Sequence, residues 1–363
     1  MTIADYSGRV TRLQTLMVSE GIDSVLLSVG SDLPYFSGYQ AMPTERLTIL
    51  VIGQSDVPVL FVPVLEAPRV EAGSFEIVGW SETEDPIALA SAAVGSVDSI
   101  AVGDQMWSTF LIGLQKTVEA TSWMPASKLT RRLRIRKEPA ELESLRSAAH
   151  AVDRVMARIP DEVHFAGHSE REVAQRLAEM TVEEGHETSA HAIVAAGANG
   201  ASPHHEPGTH EIENGDLVVC DFGGRMGGYY SDSTRTFSVG EPSRRQQETH
   251  DLVEAANLAG QQAVGVGVPC SEVDDAARSV IEEAGFGEFF IHRTGHGIGL
   301  DVHEHPYIVE DNPLPLEEGM TFSIEPGIYL ADEFGVRIED IVACGPDGVD
   351  TMNLASRQLV AVS

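Results

Sequence analysis

Two stretches of this chain each place a pair of acids inside apolar, strand-like runs. They read VVCDFGGRMGGYYSDSTRTF (218–237) and TFSIEPGIYLADEFGVRIEDIV (321–342). A buried strand prefers Val or Ile at such positions. Here the first stretch carries Asp221 and Asp232, and the second carries Glu325 and Glu339. Any fold for this chain has to accommodate four carboxylates on two hairpins.

With GGRMGG (223–228) as the turn, the first hairpin sets Asp221 opposite Tyr230 or its neighbours, and Asp232 becomes a diagonal neighbour on the same sheet face. A bulge in the glycine-rich turn would bring the two directly opposite. Folding the second stretch about Asp332 sets Glu325 directly across from Glu339. Like charges opposed on paired strands destabilise them. At 4 Å and an effective dielectric near 20 the repulsion is about 4 kcal/mol per pair. Such acids either share protons or share cations, and four of them favour cations.

A weak internal repeat joins the two stretches. NGDLVVCD (214–221) aligns without gaps on EGMTFSIE (318–325), glycine on glycine, with a carboxylate closing both. A two-fold pseudo-repeat of that kind would bring the hairpins together. A nitrogen ligand is also at hand, because IHRTGHGIGLDVHEHP (291–306) holds His292, His296, His303 and His305. The glycines flanking His296 allow close approach of backbone and imidazole to an ion. The site expected from these residues holds two divalent cations. Its oxygen-rich ligation favours Mn²⁺, with Co²⁺, Fe²⁺ and Zn²⁺ as alternatives. Two cations about 3.5–4 Å apart activate water and polarise a carbonyl, which points to hydrolysis.

Charge narrows the partners. Lys and Arg number 24 against 56 Asp and Glu, a net charge of −32. Such a chain repels phosphate backbones and anionic membranes, so neither nucleic acid nor membrane is an expected partner. No apolar run approaches the roughly 18 residues of a membrane span. The N-terminal MTIADYSGRVTRLQ lacks the layout of a signal peptide, and a cytoplasmic location is expected. Cys220, Cys270 and Cys344 are odd in number and form no CxxC, which suits reduced structural thiols.

Along the chain, helical spacing over 8–21 and 109–120 alternates with strand-like runs at 23–29, 46–53, 57–63 and 98–103. This predicts an α/β domain over 1–127. The basic patch KLTRRLRIRK (128–137) reads as a solvated linker, with Pro139 in the first turn of a long helix, so 128–140 is the expected junction. The remainder, 141–363, is predicted to be an α+β domain. Its helices are announced by Ser169-x-x-Glu172, Ser243-x-x-Gln246, and Pro269 with Ser271.

The constellation resembles the pita-bread metallopeptidases, in the branch of aminopeptidase P and prolidase (Xaa-Pro dipeptidase). It matches strongly over about 136–350, and more loosely in the creatinase/prolidase-like N-terminal domain through DLPYFSGY (32–39). The resemblance implies that the five metal ligands are Asp221, Asp232, His296, Glu325 and Glu339, with Asp232 and Glu339 bridging two ions. It implies Glu325 as general base, generating a bridging hydroxide that attacks the scissile carbonyl. His204 and His303 take the places of substrate-site histidines, His292 that of an outer histidine, and Arg337 fits a role in orienting the ligands. The implied activity is cleavage of the Xaa-Pro bond at the N-terminus of dipeptides or short peptides. The implied assembly is a homodimer, with Tyr35 and Phe36 near a substrate cleft.

One departure bears on specificity. Dipeptide-restricted members often have arginine after the VHExP segment, where Tyr307 stands here, so aminopeptidase P activity stays open. Two other readings share the fold: a metallopeptidase of different specificity, and a non-catalytic peptide-binding protein. A kinase reading of Asp221-Phe222-Gly223 fails for want of HRD, VAIK and APE segments.

Overall fold

The computed structural model describes residues 5–363. The chain divides into two compact units, the first ending at Arg134 and the second running Ile135–Ser363.

The first unit is built on a six-stranded sheet. Its strands, in spatial order, are Glu76–Trp80, Val59–Pro63, Ile49–Gly53, Ser24–Leu27, Ser99–Val102 and Ser122–Pro125. Ser24–Leu27 is buried along its whole length, which explains its unbroken apolar run. The helix Tyr6–Glu20 starts where the Asp5 side chain accepts the Gly8 N–H and ends at Gly21 in the left-handed conformation. Tyr35 and Phe36, expected beside a substrate cleft, are buried within this unit and pack edge to face at 4.9 Å.

The basic patch is not a linker throughout. Ser127–Arg134 is a helix, and its arginines are tied into the first unit by Arg132–Glu20 at 2.6 Å and Arg134–Asp32 at 2.8 Å. The patch alternates charge with Leu129 and Thr130, both buried, and that amphipathic spacing is what makes it helical.

The second unit repeats one design. The long helix Pro139–Glu162 and the helix Glu170–Glu183 precede a sheet of order Val360–Val362, Ser233–Val239, Leu217–Met226, Thr188–Ala196. The helices Arg244–Ala263 and Cys270–Glu283 precede a second sheet of order Glu304–Ile308, Gly295–Gly297, Thr321–Ile324, Asp340–Gly345, Gly348–Thr351. Reciprocal capping boxes open two of these helices: Ser169 with Glu172, and Ser243 with Gln246. The sequence repeat is visible in the backbone. Gly215 and Gly319 both take positive φ, 98° and 86°, just before strands that begin at Leu217 and Thr321. Only glycine adopts that conformation without strain.

Alternation along the strands decides which face holds the acids. Val218, Cys220 and Phe222 pack into a core with Val152, Val155 and Leu177 of the preceding helices. Asp221, of opposite parity, therefore faces away from those helices. In the second sheet Phe322 and Ile324 join Val273 and Cys270 in the helix-side core, so Glu325 faces away in turn.

Candidate metal centre

The first hairpin differs from its expected register. Its turn is the two-residue Gly227–Gly228, with φ of 60° and 86°, and Gly223–Met226 continue as strand. This is the turn geometry that matches strand twist, and two glycines supply both positive φ angles. Met226 thus pairs with Tyr229, and Asp221 pairs with Thr234 rather than Tyr230. Asp232, two residues before Thr234, is still the diagonal neighbour of Asp221. Gly223 permits this, because a Cβ there would lie 2.0 Å from the Ser231 carbonyl oxygen and 3.1 Å from Asp232 Cα.

The second hairpin is symmetric about Asp332, which takes φ of 61°. Leu330 pairs with Phe334, Gly327 with Arg337, and beyond the break Ile324 pairs with Asp340. Glu325 and Glu339 occupy the break at matching positions. There the ladder opens, and Ile338 N–H reaches the Pro326 carbonyl at 3.4 Å.

These elements converge on one cleft of about 660 Å³. Its lining includes Asp221, Asp232, His296, Glu325, Glu339, Arg337, His204, His292 and His303. Potential ligand atoms fall into close groups, each within 4.8 Å: His191, Asp221 and Asp232; Asp232, His296 and His303; His296, Glu325 and Glu339. His296 Nε2 lies 3.4 Å from Glu325 Oε1 and 3.8 Å from Asp232 Oδ2. Its Nδ1–H donates to the Gly297 carbonyl at 3.1 Å, which leaves Nε2 as the lone-pair nitrogen facing the acids. Burial lowers the His296 pKa to about 4, so the ring is a neutral donor at pH 7.

The carboxylates are perturbed in the manner of an ion-binding cradle. Burial, then the charges of Asp232, Glu325 and Asp221, push Glu339 well above the usual carboxylate range. Burial raises Glu325 to about 8; the Arg337 charge opposes the shift while Asp232 and Asp221 add to it. Asp232 is also raised, chiefly by burial. Burial would raise Asp221 too, but Arg337 and His191 outweigh it and hold that group below the usual range. Glu339 Oε1 is buried with no hydrogen-bond partner among the described residues. A partnerless carboxylate oxygen, raised acids and a neutral imidazole fit divalent cations.

Polar supports surround the acids. Arg337, 3% exposed, donates from Nη2 to Asp221 Oδ2 at 2.7 Å and from Nη1 to the Tyr329 hydroxyl at 3.1 Å. His292 Nδ1–H donates to the Arg293 carbonyl at 2.7 Å, so Nε2 accepts the Tyr329 hydroxyl at 2.8 Å. His292 thus ends a chain that runs through Tyr329 and Arg337 to Asp221. His303 is exposed and packs edge-on against His296 at 4.1 Å, while His204 is exposed at the cleft wall. Arg293 also lines the cleft, its guanidinium 4.4 Å from the Tyr307 ring centre.

Besides Arg293, sequence reasoning missed four contributors. Thr234 donates to Glu339 Oε2 at 2.7 Å, Ser323 to Glu325 Oε1 at 3.2 Å, and Tyr329 links His292 to Arg337. Thr234 follows from the hairpin once the turn is set at Gly227–Gly228. The fourth, His191, approaches both aspartates; a histidine in the apolar run AHAIVAA (190–196) was its only signal.

Comparison with known proteins bears on this geometry. Residues 143–346 match the description metallopeptidase family M24, and residues 9–136 match the creatinase/prolidase N-terminal domain. The chain is 41% identical to a probable dipeptidase PepE of Mycobacterium tuberculosis, covering 98% of this chain and 96% of that one. It is 34% identical to an Xaa-Pro dipeptidase of Lactobacillus helveticus, covering 96% and 97%. Its structure resembles that of a recombinant prolidase from Thermococcus sibiricus at a TM-score of 0.94 and 36% identity, covering 99% and 100%.

Proposed function

The chain belongs to metallopeptidase family M24, and from that premise we propose that it cleaves the Xaa-Pro bond of dipeptides, with short proline-containing peptides as further substrates. One observation carries the reading: Asp221, Asp232, His296, Glu325 and Glu339 line a single cleft in closely spaced groups. Relatives along the whole chain are named Xaa-Pro dipeptidase and prolidase, which supports the proline specificity.

The five residues would hold two divalent cations, with Mn²⁺ the first candidate for so oxygen-rich a set. When bound, such cations lower the pKa of water and polarise a carbonyl. The protein's own groups do the rest. Glu325 is the proposed base. Ser323 engages its Oε1, and from that position the carboxylate would take a proton from water and return it to the leaving nitrogen. His303 and His204 are proposed to steady the substrate and the tetrahedral intermediate. His292 has both nitrogens engaged, so its part is to orient Tyr329 and Arg337. Arg293, stacked on Tyr307, offers a cation at the cleft wall for the free carboxylate of a dipeptide. That favours the dipeptidase over the aminopeptidase reading, although Tyr307 replaces the usual arginine. A homodimer is part of the same proposal and is read by light scattering.

The test is hydrolysis of Ala-Pro, Ala-Pro-Ala and Ala-Ala by Mn²⁺-reconstituted protein beside folded Glu325→Gln. Ala-Pro is expected to be the best substrate, Ala-Ala inert, and the variant slower by roughly 10²–10⁴-fold. Cleavage of Ala-Ala as fast as Ala-Pro would replace proline specificity with a broader peptidase. No cleavage despite bound metal would favour a peptide-binding protein.

A further inference from the structure

One imidazole at the acids lies outside the five expected ligands and their polar supports. His191 stands on the strand Thr188–Ala196, just past Ala190, where the register to the neighbouring strand shifts by one residue. Beyond that bulge His191 pairs with Gly223 and Ile193 with Asp221. Residues two apart on a strand share a face, so His191 lies on the face of Asp221. Opposite it stands a residue without a side chain, which leaves the ring room to lean over the acids.

The resulting geometry is specific. His191 Nε2 is 3.1 Å from Asp221 Oδ1 and 3.0 Å from Asp232 Oδ1. Arg337 holds the other oxygen of Asp221, so Oδ1 is the one turned toward the ring. Two donors at right angles on one cation, each about 2.1 Å from it, are separated by about 3.0 Å. His191 Nε2 therefore stands from each of the two carboxylate oxygens at the spacing of neighbouring ligands on a single ion, and the group's ligand atoms all lie within 4.8 Å of one another. The opposite side of the cleft has the matching composition, His296 with Glu325 and Glu339.

We propose that His191 Nε2 is a direct ligand of the cation held by Asp221 and Asp232. The site then has six protein ligands and one imidazole for each of its two ions. This rests on the reading of the cleft as a two-cation centre. A second imidazole also changes the metal preference, favouring Co²⁺, Fe²⁺ or Zn²⁺ over Mn²⁺ relative to an oxygen-dominated site. The contrary arrangement is a histidine that hydrogen-bonds the two aspartates only while the cation is absent and swings away when it binds.

The experiment is metal binding, independent of catalysis. Chelated, dialysed protein is titrated with Mn²⁺ by calorimetry, and the bound Mn²⁺ is examined by pulsed electron paramagnetic resonance for ¹⁴N coupling. Wild type, His191→Ala, His191→Gln and His296→Ala are compared, each checked for cooperative melting. The expected result is that both His191 variants weaken one of two binding steps by at least about 10-fold and lose part of the nitrogen coupling, leaving the other step as in wild type. His296→Ala is expected to weaken the step that the His191 variants spare. Unchanged or tighter binding of both ions in the His191 variants, with full nitrogen coupling, overturns the proposal and leaves the five-ligand reading intact. Wild-type protein that binds no Mn²⁺, Co²⁺ or Zn²⁺ overturns both.

Discussion

Arg337 and Asp221 come from different hairpins, yet the guanidinium donates to Asp221 Oδ2 at 2.7 Å in a buried setting. Asp221 is the one acid of the four whose carboxyl is held below its usual range, and Arg337 is the largest force keeping it there against burial. The ion pair fixes one oxygen of Asp221 and leaves the other to serve as a ligand in the proposed two-cation centre.

Arg337→Met is therefore expected to strip a buried carboxylate of its partner. The cost in stability should be about 3–5 kcal/mol for the metal-free protein. Metal affinity should fall about 10–100-fold, since the ligand loses its orientation. Urea denaturation and metal titration read the two effects separately, and unchanged values in both would remove Arg337 from the support of the site.

Gly223→Ala forces a methyl group to within 2.0 Å of the Ser231 carbonyl oxygen. Ser231 and Asp232 must then move. A stability loss of about 1–3 kcal/mol is expected, with weaker metal binding because Asp232 is displaced. Gly227→Ala, in the turn where no heavy atom lies within 4 Å of an added Cβ, is the comparison, since only its backbone conformation opposes the change.

In metal-free protein the contribution of Glu325 to stability should fall as pH rises from about 4.5 toward 8. Glu325 has an ordinary carboxyl value of 4.5 when unfolded and about 8 when folded, and in that window the native state holds the extra proton. That contribution thus falls with rising pH. Bound cations remove the penalty by neutralising the acids. The shift in melting temperature on adding Mn²⁺ should therefore be larger at pH 8 than at pH 5, and an equal shift at both would contradict the assignment.

His250 is buried, and neither ring nitrogen has a hydrogen-bond partner among the described residues. Burial lowers its pKa to about 4. Between the ordinary value of 6.5 and 4, the unfolded chain binds the proton and the folded one does not, so stability is lost as pH falls through this window. His250→Phe should remove that dependence and stabilise by about 1–2 kcal/mol through relief of the unpaired groups. Thermal melts at pH 7 and pH 5 compare the two slopes.

Arg293→Met should raise the KM for Ala-Pro more than that for Ala-Pro-amide, because only the free acid offers a carboxylate to pair. Equal effects on both would assign Arg293 to packing against Tyr307 alone.

Much of the second unit was legible locally. The helices that open with Ser169 and Ser243 begin at their capping residues because an N-cap is a short-range hydrogen-bond problem. The register of Glu325 against Glu339 was readable because the hairpin closes tightly on Asp332, and a tight turn fixes pairing. The first hairpin differs from its expected register in the length of its turn: four residues of GGRMGG belong to the strand, where Gly223 and Gly224 permit close approach of neighbouring chain. The patch at 128–134 is helical where its charges suggest a linker, because Leu129 and Thr130 among them are buried.

What the sequence determined by itself was residue type and spacing: four acids and a histidine in patterns that only paired strands and a close glycine-flanked segment can present. Their assembly was decided by tertiary structure. Asp221 reaches Arg337 across 116 residues, Thr234 reaches Glu339 across 105, and His191 reaches Asp232 across 41. No local propensity encodes such contacts. They follow from two sheets whose apolar faces turn toward helices, which leaves the acid-bearing faces to meet, and from buried polar groups that must find partners once water is excluded.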